Sequence, residues 1–167
     1  MPTAINAGVV TRSAMCPSAA VGGAPVGSIT VEGRTVPIKR IDLAADGSLT
    51  PPASNKVAGI SNDHAALDAQ RGATVITWHV RYGPGCDGTL NNLLTAPVGS
   101  TFTIKAVNGE SVEYRISERV SVPKGDVKAS WFSAAGPHRL TLLTCSGLKN
   151  GRFTQTTYIG AEPVQSE

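Results

Sequence analysis

His138-Arg139-Leu140-Thr141-Leu142-Leu143-Thr144-Cys145-Ser146-Gly147 is the run from which the fold can be read. A two-residue period divides it: Thr141, Leu143 and Cys145 on one face, Leu140, Leu142 and Thr144 on the other. That is a strand, broken by Ser146-Gly147. A thiol at the tip of a rigid strand, next to a loop, is held still and can still meet a substrate.

The flanking sequence extends the β reading. Downstream, Asn150-Gly151 is a turn. Arg152 to Ile159 is the next strand, with Phe153 and Ile159 inward and Arg152, Thr154, Thr156 and Tyr158 on the other face. Upstream, Pro123 to Ala135 is an irregular connection with a helical turn near Val127 to Phe132. Ser100 to Val107 and Glu110 to Val122 form a hairpin, and Asn108-Gly109 between them is the pair a two-residue type I′ turn prefers. Ala73 to Val80 is a strand with Ile76 and Trp78 on one face and Val75, Thr77 and His79 on the other. A glycine-rich loop, Arg81 to Gly88, follows and holds Cys86. Asn91 to Leu94 reads as one helical turn.

Ser61 to Asp68 reads as a short helix capped by Ser61, Asn62 or Asp63 and ended by Arg71-Gly72. Ser28 to Val31 and Thr35 to Leu43 alternate as strands, Asp46-Gly47 is a turn, and Pro51-Pro52 forbids a central strand there. Seven or eight short strands, at most two short helices and turns throughout make an all-β barrel or sandwich. There is no internal repeat.

Residues 1–25, rich in Ala, Gly, Pro, Ser and Val without a clear period, read as a linker or a partly ordered arm. Residues 26–167 read as one folded domain. The chain has 167 residues, 41% hydrophobic and 16% charged, which suits a globule with a real core and argues against disorder. The net charge of +3 comes from scattered residues, with no basic run of the kind a nucleic-acid partner requires. No stretch approaches the roughly 18–20 apolar residues of a membrane span, and no signal-peptide pattern opens the chain. Any membrane attachment is expected to lie in a segment absent from this sequence.

The three cysteines, Cys16, Cys86 and Cys145, allow at most one intramolecular disulfide. Cys16 reads as an incidental thiol, with a structural disulfide as the alternative. Cys86 reads as a bystander thiol or half of a disulfide with Cys16. No cysteine or histidine cluster has zinc spacing, so neither a metal nor a cofactor is expected.

Cys145 is the candidate nucleophile. It needs a neighbouring base and a donor for the developing oxyanion. His79, at a strand end before a glycine-rich loop, is the candidate base. The bland alternative is a surface histidine. Arg152, beyond the Asn150-Gly151 turn, can bring a fixed positive charge beside the thiol. The alternative is a solvated strand-edge arginine. Cys86 is a rival nucleophile on a mobile loop, which argues against a fixed attack geometry. His64 and His138 are weaker candidates than His79. His138 lies roughly 20 Å from the far end of the cysteine strand at ordinary strand rise.

The run Thr141-Leu142-Leu143-Thr144-Cys145 resembles the nucleophile signature of the sortases, cysteine transpeptidases of Gram-positive cell walls. The resemblance extends from about Pro25 to Ala161. Val31 to Pro52 is similar to the family's opening strands, Gly72 to His79 to the strand that delivers its histidine, and Gly88 to Ile104 to the segment leading into the next strand. The class F type of actinobacteria is the most similar. The resemblance implies an eight-stranded β-barrel with one or two short helices. It implies Cys145 as nucleophile, His79 as general acid or base, Arg152 as the substrate-orienting, oxyanion-stabilising group, and Thr144 in the pocket wall. Trp78 stands where the family usually has glycine, so its ring is expected to shape the groove.

The implied reaction cleaves a Leu-Pro-x-Thr-Gly-like sorting signal between Thr and Gly through a Cys145 acyl-enzyme. The acyl group then passes to a cell-wall precursor amine. The implied partners are surface-protein sorting signals and that amine, outside the cytoplasmic membrane. Two other functions fit the same residues: a cysteine hydrolase of similar peptides, and a sortase-shaped peptide-binding domain of weakened activity.

Overall fold

The structure is a computed structural model and describes residues 16–164. Eight strands form a closed barrel: β1 (Pro25–Val31), β2 (Arg34–Ile41), β3 (Ala58–Ser61), β4 (Ala73–Trp78), β5 (Thr101–Ala106), β6 (Ser111–Pro123), β7 (Arg139–Lys149) and β8 (Arg152–Pro163). Around the barrel the order is β1-β2-β3-β4-β7-β8-β6-β5. The pairs β2–β3 and β4–β7 are parallel, and the others antiparallel. Two 3₁₀ turns, Thr89–Leu94 and Ala129–Phe132, are its helical elements. The all-β, eight-stranded expectation is met.

Alternation sorts the strand residues into two layers. Ile29, Ile38, Ile76, Trp78, Leu140, Leu142 and Ile159 fill the barrel interior. Val75, Leu143 and Tyr158 point outward and are covered by Trp131 of the second 3₁₀ turn, with Leu49, Val122 and Phe132 packed against them. Trp131 stacks on Tyr158 at 4.3 Å between ring centroids, 2° from parallel. Arg139 fastens the connection that carries Trp131, donating to the carbonyls of Ser130, Ser133, Ala135 and Pro137. The wall β4–β7–β8 is therefore buried on both faces.

Local chemistry departs from the sequence reading in several places. The cysteine strand does not stop at Ser146-Gly147. β7 runs on to Lys149 and pairs with β8 in unbroken register down to Lys149↔Arg152. Asn150 and Gly151 close that hairpin with φ of 51° and 77°, the left-handed conformation a type I′ turn needs. The β5–β6 turn is three residues long, not two. Gly109 N–H donates to the Ala106 carbonyl at 2.9 Å and Gly109 takes φ 95°, a type I turn with a following left-handed glycine.

Residues 61–68 are not a helix. Ser61 ends β3, and its hydroxyl accepts from Asp63 N–H at 3.2 Å and meets His64 Nδ1 at 2.7 Å. The polar residues that could cap a helix instead bond their neighbours locally and stabilise turns. β3 itself has no alternation to read, because all four residues, Ala58-Gly59-Ile60-Ser61, are buried.

Cys16 is no incidental thiol. It forms a disulfide with Cys86 across 70 residues. Lys39 Nζ donates to the carbonyls of Ala19 and Val21, and Ser54 Oγ to that of Pro17. Within residues 16–24, the segment is thus fastened to the barrel. Residues 1–15 of the expected arm lie outside the described residues.

Candidate active site

Cys145 and His79 meet because β4 and β7 run parallel and in register. Val75 pairs with Thr141, Ile76 with Leu142 and Thr77 with Leu143. Two further steps along both chains bring His79 level with Cys145. Both lie on the outward face, by alternation from Thr77 and Leu143. Neighbouring strands are about 4.8 Å apart, so the two side chains rise side by side. Hydroxyls staple the strand ends below them: Thr77 Oγ1 donates to the Leu143 carbonyl and Thr144 Oγ1 to the Trp78 carbonyl, each at 2.7 Å.

A cavity of about 600 Å³ opens over this point. Its walls are mainly apolar, with Leu43 and Leu49 from the β2–β3 connection, Val127 and Phe132 from the β6–β7 connection, and Leu143 and Phe153 from the sheet. This size and lining suit a segment of extended peptide. Cys145 and His79 both line it, and Cys145 is half-buried with a free thiol. His79 is half-buried, and its ring lies 4.9 Å from that of Tyr82. Burial holds its pKa below the usual histidine value, and a hydrogen bond with the Pro51 backbone pulls weakly the other way. The ring is therefore neutral near pH 7 and able to take a proton from a thiol.

Trp78 and Thr144 both enter the cavity lining, but their side chains are committed elsewhere. The Trp78 ring belongs to the interior core, and its Nε1 donates to Asn91 Oδ1 at 3.0 Å. It does not crowd the groove. Asn91 Nδ2 in turn donates to the Val80 carbonyl at 2.9 Å. One amide thus fixes the residues on both sides of His79.

Arg152 is not brought to the thiol. It pairs with Lys149 at the hairpin end, whereas Cys145 pairs with Thr156. Four rungs separate them, roughly 13 Å at strand rise. Arg152 shares the sheet face of Cys145 but is exposed and is not among the residues lining the cavity. Among the described residues, the arginine that does line it is Arg81, and the other cation is Lys124.

The other candidates separate cleanly. Cys86 is consumed in the disulfide. His138 is tied to the Tyr114 hydroxyl at 2.8 Å, away from the cavity. His64 does line the cavity, its ring 5.5 Å from Phe132 and its pKa lowered by burial. Sequence reasoning undervalued His64 and missed Arg81 and Thr156 as wall residues. Alternation already placed Thr156 on the Cys145 face once the hairpin register was known. No metal-binding group of three or more His, Cys, Asp or Glu occurs among the described residues.

The sequence matches no family model and no curated protein. Solved structures do resemble it. Sortase A from Corynebacterium diphtheriae aligns over 86% of this chain and 62% of its own, with 20% identity and a TM-score of 0.66. Streptococcus agalactiae sortase C1 aligns over 86% and 69%, with 15% identity and a TM-score of 0.64. Sortase C from Clostridium perfringens aligns over 87% and 72%, with 15% identity and a TM-score of 0.62. The chain thus spans about two thirds of the length of these proteins, and at such identities the likeness is one of fold. In fold, the chain is similar to sortases of classes A and C.

Proposed function

We propose that the protein is a sortase-type cysteine transpeptidase, with Cys145 as nucleophile and His79 as acid and base. The observation that carries this reading is the parallel β4–β7 register, which brings the two side chains level on the wall of an apolar cavity. His79, neutral at pH 7, takes the thiol proton. The Cys145 sulfur then attacks the carbonyl carbon of a peptide lying in the groove. The tetrahedral intermediate collapses, His79 gives its proton to the departing amine, and a thioester remains. An incoming amine loses a proton to His79, attacks the thioester and restores the thiol.

The peptide is a Leu-Pro-x-Thr-Gly-like sorting signal cut between Thr and Gly, and the acceptor a cell-wall precursor amine, outside the cytoplasmic membrane. The sequence motifs favour the actinobacterial class F type. None of the described helices is long and apolar enough to cross a membrane.

The second reading, a sortase-shaped binder of weakened activity, is favoured by one observation: Arg152 stands outside the cavity. Incubation with Leu-Pro-x-Thr-Gly peptides and a triglycine acceptor separates the readings. A new Thr–Gly amide bond in the product supports transpeptidation. Cleavage without ligation supports a hydrolase. Peptide binding without cleavage supports the binder.

A further inference from the structure

The thioester-forming step creates a negative oxygen, which a fixed donor stabilises. Among the described residues, no carboxylate lines the cavity, and its cations are Arg81 and Lys124. Two other arginines within the fold are committed to backbone carbonyls. Arg119 donates to those of Leu93 and Ala96, and Arg139 to four in the β6–β7 connection. Arg152 stands at the hairpin end, off the lining.

Arg81 sits two residues after His79, at the base of a short tongue. Arg81 and Asp87 form a backbone bridge, Tyr82 N–H donates to the Cys86 carbonyl at 2.9 Å, and Cys86 N–H to that of Gly83 at 3.0 Å. Gly88 N–H closes the tongue on the Val80 carbonyl at 2.9 Å. The Cys16–Cys86 disulfide fastens the tongue to the segment that Lys39 and Ser54 hold on the barrel. Arg81 Nε faces Asp87 Oδ1 at 3.4 Å. That pair is exposed and contributes little to stability, but it orients the guanidinium through Nε, and among the described residues neither terminal nitrogen has a hydrogen-bond partner.

We infer that Arg81, held by the disulfide-clamped tongue after His79, is the oxyanion-stabilising arginine of this site, in place of Arg152. The inference rests on Cys145 and His79 as the reacting pair. As the Cys145 sulfur forms its bond to the carbonyl carbon, the C=O π pair moves onto oxygen, and Arg81 donates N–H to that oxygen. When C=O re-forms, the C–N bond breaks, and the leaving nitrogen takes the proton His79 received from the thiol. The disulfide then serves catalysis by holding the donor, as well as serving stability.

The test reads local charge and catalysis separately. Cys145 alkylation is followed by intact-protein mass spectrometry with anionic iodoacetate and neutral iodoacetamide. The ratio of the two rates reports positive charge near the sulfur. At low ionic strength, Arg81→Ala is expected to lower this ratio about threefold or more, and Arg81→Lys to keep it. Arg152→Ala is expected to leave it unchanged, and Lys124→Ala to lower it less than Arg81→Ala does. With peptide and triglycine, Arg81→Ala is expected to cost about 10²-fold in kcat/KM. An unchanged ratio in Arg81→Ala, or a ratio that falls further in Arg152→Ala or Lys124→Ala than in Arg81→Ala, overturns the assignment. The alkylation ratio judges Arg81 even if no peptide is turned over, so failure of the transpeptidase reading and failure of this inference are distinguishable.

Discussion

The proposed roles of His79 and Cys145 depend on what surrounds the two side chains as much as on their own chemistry. Burial holds the pKa of His79 below the ordinary histidine value, so in the proposed cycle it starts as a base. His79→Gln keeps much of the shape and removes the proton carrier. It should lower kcat/KM for peptide by about 10²–10⁴-fold, with melting temperature nearly unchanged. Thr144 acts one layer below. Its hydroxyl ties β7 to the Trp78 carbonyl directly before His79. Thr144→Val keeps the volume and leaves that carbonyl short of a buried donor. Urea titration should show a loss of about 1 kcal/mol, and peptide turnover should fall through misplacement of His79 rather than loss of a reacting group. The faces of Cys145 and His79 were legible from alternation, since each continues the outward set of its own strand. The arginine was not. Its place depends on hairpin register, and pairing Lys149 with Arg152 leaves Thr156 opposite the thiol.

At the scale of elements, the strands declared themselves where one face is buried and the turn chemistry is strong. The Asn150-Gly151 hairpin is the clearest case, with both residues left-handed. β3 did not, because a four-residue strand buried on every side chain has no period to detect. The segment 61–68 misled for a different reason: Ser61, Asn62 and Asp63 are good helix caps and equally good turn formers. The tongue from Val80 to Gly88 looked mobile from its glycines, and the disulfide to Cys16 fixes it. Cys16→Ser with Cys86→Ser should cost about 2–5 kcal/mol in unfolding free energy, because a long loop of the unfolded chain is released. Denaturant unfolding of the oxidised protein and the double variant measures this directly. A loss well under 1 kcal/mol would show that the tongue is held by its hydrogen bonds alone.

For the whole molecule, three half-buried histidines contribute to its response to acid. His64, His79 and His138 all have pKa values pushed below the ordinary histidine value, in each case chiefly by burial. The unfolded chain therefore binds more protons than the folded one once pH drops below about 6.5. The stability these neutral rings contribute is complete above that pH and is lost as pH falls through it. The melting temperature should decline between pH 7 and pH 5, and substituting His138 by Gln should flatten part of that decline. The same barrel, by the parallel register of β4 and β7, sets His79 and Cys145 level, and the proposed reaction depends on that placement. Intact-protein mass spectrometry after incubation with Leu-Pro-x-Thr-Gly peptides tests it most directly. The account predicts a thioester adduct that peptide mapping places on Cys145, absent in Cys145→Ala and discharged by triglycine. No adduct with any peptide that demonstrably binds the groove would contradict it.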